Sequence, residues 1–274
     1  MRTLTLIKLL CFVITNCSIA QTIRYSASLP YIRLAAYSIK QNDPLSFTGN
    51  QAALAREKQP SISLFGENRF LLAANRYYNF ATILPTQLGN IGVQFNYAGF
   101  KNFNENNIGL AYAKTLGSKI DLGVQFNYYS YHIPFYGAAS SVNFDLGIIL
   151  HFTDQLNGGI HIYNPFSTKL RKQATEKMAS LYAFGLGYDA SENFFISTEI
   201  IKEEDLSVNV VAGVQYQFAN QFFLRTGFLS ESSTVFGGIG AGWKKMRVDI
   251  TASYHPQLGF SPGILFISYL GNKK

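Results

Sequence analysis

The chain has 274 residues, a formal net charge of +7 and 14% charged residues, against roughly 25% in soluble domains. Its 17 Tyr and 23 Phe are many, and its basic residues are spread out, which excludes the clustered basic patch of a nucleic-acid binder. Few charges with many aromatics fit a membrane-embedded β protein, which gathers aromatics at the two interfaces.

At the N-terminus, Arg2 and Lys8 precede the apolar run Leu9-Leu10-Cys11-Phe12-Val13-Ile14, and Ser18-Ile19-Ala20 puts small residues at −3 and −1. This reads as a secretory signal peptide, residues 1–20, cut after Ala20. Cys17 would suggest a lipoprotein, but Ile14-Thr15-Asn16 matches a lipidation site poorly. Both cysteines, Cys11 and Cys17, leave with the leader, so no disulfide or cysteine metal site is expected. Loss of Arg2 and Lys8 takes the charge from +7 to +5. No later run approaches the roughly 20 apolar residues of a spanning helix. Membrane crossing would therefore need strands.

Residues 21–58 lack strand periodicity. Asp43-Pro44-Leu45-Ser46-Phe47 leads into an alanine-rich stretch ending at Arg56, which predicts a short helix with its N-cap at Asp43 or Thr48. A polar segment ahead of the first strand would sit inside a barrel as a plug, or pack on the periplasmic rim as a tail. The plug is the favoured reading.

From residue 59 to 274 the period is two. Ile120, Leu122, Val124, Phe126 and Tyr128 share one face, opposite Lys119, Asp121, Gly123, Gln125 and Asn127. The same alternation runs through 90–98, 142–152, 208–218 and 247–255. Further strands are predicted near 60–70, 72–83, 105–115, 157–164, 179–188, 193–202, 221–229, 234–243 and 262–270. That is an all-β chain of about fourteen strands, each near the roughly 9–11 residues that cross a bilayer at a tilt. From residue 115 on, short turns (116–118, 153–155, 190–192, 219–221, 244–245) alternate with mostly longer loops (132–140, 164–178, 229–233, 255–261). Such sorting is the layout of a transmembrane antiparallel barrel with short periplasmic turns; a soluble sandwich has no reason for it. The predicted location is the Gram-negative outer membrane, with membrane lipid around the apolar face.

A family resemblance rests on two blocks. "NDPLSFTGNQAALA" (42–55) resembles the motif of outer-membrane barrels of the fatty-acid-transporter (FadL-like) superfamily, carried here by Asp43, Pro44, Asn50, Ala52 and Leu54. With "FFLRTGF", "VFGGIGAGW" and the closing strands, it is more closely similar to the PorV/PorQ proteins of Bacteroidota, which are associated with type IX secretion. Gln51 stands where that group usually has proline, and the chain is short for it. The resemblance implies an accessory component of type IX secretion or surface attachment, acting through contacts with secretion-system or surface proteins. The alternative it implies is a FadL-like conduit for small hydrophobic compounds, with the loop 133–140 as one wall of a pocket.

No catalytic constellation stands out, so no enzyme activity and no cofactor is expected. His132, His151, His161 and His255 lack metal-ligand spacing, although His151 and His161 would both face the lumen. Gly237-Gly238-Ile239-Gly240 has no helix behind it and is not a phosphate loop. Lys119, Asp121, Asp145, Glu199, Arg225, Arg247 and Asp249 all fall on the lumen face. They would close the lumen through ion pairs or line a polar path for solute. Lys169, Arg171 and Lys172, in the longest connection, are the candidate partner contacts.

Overall fold

Fourteen antiparallel strands form a closed barrel in the computed structural model, which describes residues 22–23, 30–101, 103–134, 137–168, 177–219 and 221–271. In chain order they are β1 (Ser61–Asn68), β2 (Arg76–Thr86), β3 (Gly89–Gly99), β4 (Asn104–Leu116), β5 (Ile120–Ile133), β6 (Gly137–His151) and β7 (Leu156–Tyr163). Then follow β8 (Leu181–Asp189), β9 (Phe194–Glu203), β10 (Asn209–Phe218), β11 (Phe222–Leu229), β12 (Thr234–Trp243), β13 (Met246–His255) and β14 (Gly259–Tyr269). Each pairs with its sequence neighbours, and β14 closes onto β1 from Tyr269↔Ser61 to Gly263↔Glu67. Closure leaves no strand edge with unpaired backbone groups.

The two-residue period sorts the side chains. In β5, Ile120, Leu122, Phe126 and Tyr128 are exposed, while Asp121, Gln125 and Asn127 are buried. Val142, Ile239 and Ile250 are 63%, 62% and 73% exposed on the outer surface. A soluble protein would not leave so continuous an apolar belt uncovered. Outward aromatics cluster toward both ends of the strands: Tyr112, Tyr188, Tyr216, Phe222 and Trp243 near one rim, Tyr78, Tyr182, Tyr254 and Phe260 near the other.

Turn residues 87–88, 117–119, 152–155, 190–193, 219, 221 and 244–245 share one rim. Among the described residues, the opposite rim carries 69–75, 100–101, 103, 134, 164–168, 177–180, 204–208, 230–233 and 256–258. The sorting is milder than expected. The 132–140 loop is largely strand, because Ser130↔Ser140 and Tyr131↔Ala139 continue the β5–β6 ladder. Small residues at 137–141 hid that pairing by offering no apolar alternation. Conversely, the strand expected at 72–83 starts at Arg76, since 69–75 turns back on itself.

Residues 30–57 run inside the barrel. They descend from Pro30, beside the opposite rim, to Lys40, which pairs with Glu192 on the short-turn rim. The chain then rises to a central turn and comes down again to Arg56, which contacts Asp121 and Ser118. It holds one α-helical turn, Pro30–Arg33, and 3-10 turns at 34–37, 46–48 and 51–56. The expected N-caps were wrong. Asn50 caps the last turn, its side chain accepting from Ala52 N at 3.0 Å. Asp43 instead accepts from Leu45 N in a local turn, a competing use of the short carboxylate. Further toward the N-terminus, Thr22 and Ile23 pair in parallel with Lys177 and Met178 at the opposite rim. The leader expected at 1–20 lies outside the described residues.

Candidate functional site

The inward charges of the strands meet the inner segment. Arg225, fully buried, donates to Asp43 Oδ2 (2.8 Å), to the Tyr31 carbonyl (2.7 Å) and to Gln215 (2.7 Å). Arg247 makes a two-pronged pair with Asp249 (2.8 and 2.6 Å), and the Tyr31 hydroxyl donates to the same carboxylate at 2.8 Å. Glu199 accepts from Arg33 (2.7 Å) and Tyr37 (2.8 Å). Asp121 takes Arg56 and His151, each at 2.7 Å. Asp145 receives Gln51 and Gln125 at 3.4 Å. Burial pushes the Tyr31 and Tyr37 hydroxyls above the usual phenol range, so both remain proton donors to their carboxylates.

Six of the seven charges expected in the lumen are therefore buried there. Lys119 is the exception: it lies exposed in the turn before β5, because the strand begins one residue later at Ile120. Asp43, Pro44, Asn50, Ala52 and Leu54 are all buried in the inner segment. Asn50 also donates to the carbonyls of Ile148 and Ile160, at 3.3 and 3.2 Å, bridging β6 and β7. His151 and His161 both face inward but do not meet; His151 bonds Asn157 and Asp121 instead. Lys169, Arg171 and Lys172 lie outside the described residues.

Sequence reading missed how the inner segment fits. A Cβ on Gly123 would fall 2.3 Å from the Gln51 carbonyl carbon, and one on Gly147 2.3 Å from Asn50 Oδ1. Glycine on an inward position marks where the inner segment's backbone touches the wall. Magnitudes then separate the roles. Leu45, Phe47 and Leu54 are fully buried against wall residues such as Ala81, Ile83, Ala111 and Leu265, contributing about 1.5–3 kcal/mol each. Buried ion pairs roughly cancel their own desolvation. The apolar side chains hold the segment in place, and the charges fix its register. Near its end, burial and the like charge of Asp43 push the half-buried Glu57 carboxyl from its usual 4.5 up to about 8.

At the opposite rim two cavities flank Pro30 and Leu229. One, of about 250 Å3, is walled by Leu34, Ile201, Leu206 and Val211, with Arg33, Glu199, Glu203 and Glu231 also on its wall. The other, of about 260 Å3, is walled by Tyr31, Phe65, Phe70 and Phe236, with Arg69 and Glu67 at its edge. Over the second, Phe70 and Leu71 both hold φ of 56°, a strained left-handed backbone for bulky residues. Phe70 meets His255 edge-on at 6.0 Å. A third cavity, of about 620 Å3, opens at the short-turn rim between Lys40, Arg56, Gln217 and Lys244. The lumen between the mouths is filled by the inner segment.

No protein-family model and no curated protein matches the sequence. Solved structures match the fold. The CymD monoaromatic hydrocarbon channel superposes with a TM-score of 0.62 at 10% identity, covering 89% of this chain and 100% of that one. The toluene transporter TbuX of Ralstonia pickettii gives 0.60 at 10% identity, covering 82% and 92%. A FadL homologue of Pseudomonas aeruginosa gives 0.57 at 11% identity, covering 84% and 94%. The chain thus shares its closed-barrel fold with these three structures. Nothing in these likenesses singles out the expected PorV/PorQ group or type IX secretion.

Proposed function

We propose that the chain is an outer-membrane barrel that takes up small hydrophobic compounds, binding them first in the two cavities at its outer mouth. The observation that carries this reading is the pairing of two mainly apolar cavities at the mouth, each with a few charged groups on its wall, with a lumen filled by the inner segment below them. A hydrated pore for polar solutes would need the opposite, an open polar channel. The outward apolar belt and the two aromatic zones support lipid around the barrel, and the leader expected at 1–20 supports export. The three structural neighbours, by their names a hydrocarbon channel, a toluene transporter and a FadL homologue, agree with this reading. A cavity near 250 Å3 suits a compound of monoaromatic size. Onward passage requires the inner segment to yield, since it fills the route.

The accessory role in type IX secretion remains the finer alternative implied by the sequence resemblance, with Lys169, Arg171 and Lys172 as its contacts; no feature of the site favours it. Calorimetric titration of the detergent-solubilised barrel with toluene separates the two. Uptake predicts saturable binding that Leu229→Glu, placing a charge between both cavities, removes. Absence of binding by the wild type, with a specific protein co-purifying from native membranes, would favour the accessory role.

A further inference from the structure

Between the inner segment and strands β3, β4 and β6 to β9 lies a cavity of about 40 Å3, bordering the mouth cavity at Arg33, Leu181 and Glu203, with room for an ion or a few waters and too small for a hydrocarbon. Three side-chain oxygens at its wall have no hydrogen-bond partner: Oε1 of Gln51, Oε1 of Gln94 and Oδ1 of Asn107. These residues are 2%, 5% and 1% exposed. Two of the amide nitrogens are committed elsewhere, Gln51 Nε2 toward Asp145 and Asn107 Nδ2 toward Asn127. Their oxygens are left for the cavity. His161, 6% exposed, lines the same wall with both ring nitrogens unpartnered.

Asp145 completes the set. It is 2% exposed, and its carboxylate is met by amides, with Gln51 and Gln125 at 3.4 Å and the Asn127 side chain and Asn164 backbone close by. The other central carboxylates hold a cation: Arg56 on Asp121, Arg33 on Glu199, Arg225 on Asp43, Arg247 on Asp249. Asp189, nearer the rim, takes the Ser38 hydroxyl and the Ile39 amide instead. Arg33 and Glu203 also border the cavity, but the charge of Arg33 is matched by Glu199. Asp145 is a buried acid facing a pocket of spare oxygens.

We propose that this cavity binds a dehydrated alkali-metal cation, sodium or potassium. Neutral amide oxygens with a carboxylate are hard donors, suited to hard cations, and so few acidic groups match an ion of charge +1. No group of three His, Cys, Asp or Glu among the described residues is arranged to hold a metal, so a transition metal is not the occupant. The ion would join Gln51 of the inner segment to Gln94 on β3, Asn107 on β4 and Asp145 on β6. Seating of the plug would then be linked to the ion by mass action, whatever compound the mouth receives.

The test is thermal unfolding of the barrel in dodecyl maltoside, followed by circular dichroism in sodium, potassium or choline chloride at equal ionic strength. Sodium or potassium is expected to raise the melting temperature above that in choline. Asp145→Asn should lose the rise, and Gln94→Met, near in volume but lacking the oxygen, should need about tenfold more cation for half of it. Equal melting in all three salts means the cavity holds water alone and overturns the proposal. An undiminished rise in Gln94→Met also overturns it, and this variant decides the matter if Asp145→Asn fails to fold.

Discussion

At the residue scale, a charge inside this barrel acts through the residue that the inner segment brings to it. Alternation placed Asp121, Asp145, Glu199, Arg225, Arg247 and Asp249 inside without showing what they touch. Arg247 and Asp249 pair with each other on β13, but Arg33, Asp43, Gln51 and Arg56, the partners of the other four, come from a segment with no strand period, so register reasoning could not reach them. Arg225 loses its carboxylate in Asp43→Ala and is left as an unpaired buried charge, which costs about 3–5 kcal/mol. Seating of residues 30–57 should weaken accordingly. Trypsin cleavage after Arg33, now shielded by its pair with Glu199, is expected to accelerate about a hundredfold or more while the barrel stays folded. An unchanged cleavage rate would show that Arg225 does not hold the segment. On the outer surface, Ile250→Arg at mid-strand should cost about 2–4 kcal/mol of folding into liposomes. A neutral result there would mean that this face does not meet hydrocarbon.

At the element scale, the strands were legible because burial on one side imposes a period of two, and the inner segment was not, because short 3-10 turns impose none. The clue to its path was the inward glycine, visible at 123 and 147 but uninterpretable without knowing that a backbone passes there. Gly123→Ala should therefore displace the Gln51–Ala52 backbone, whose atoms lie 2.3 and 2.5 Å from the added carbon, and raise amide exchange across 45–56. Exchange like that of the wild type would place the segment elsewhere. Glu57 adds a pH dependence. Its carboxyl binds a proton more tightly in the seated state, near 8, than when released, near 4.5, so the Glu57 contribution to docking is fully present below about 4.5 and is lost as pH rises through about 8. Exchange across 45–56, corrected for its intrinsic pH dependence, should rise from about pH 5 to about pH 9 in the wild type and stay flat in Glu57→Gln.

At the scale of the whole molecule, closure, apolar belt and sorted turns were all foreshadowed by composition and period, whereas the mouth pocket expected beside loop 133–140 was misplaced: no described residue of that loop lines either cavity. The cavity walls join residues from Pro30, β1 and β8 to β14, a convergence that only the closed barrel creates. The strained pair Phe70–Leu71 above one cavity was equally hidden, since bulky residues give no signal for a left-handed backbone. Together these features describe a vessel that is apolar at the outer mouth, sealed in the middle and surrounded by lipid. We propose that it passes a small hydrophobic compound across the outer membrane. The most direct measurement is the initial rate of radiolabelled toluene uptake by intact cells carrying the chain in that membrane, against cells carrying Leu229→Glu at equal abundance. The account predicts faster uptake with the wild type than with an empty vector, and the vector's rate with Leu229→Glu; wild-type uptake no faster than the vector would contradict it.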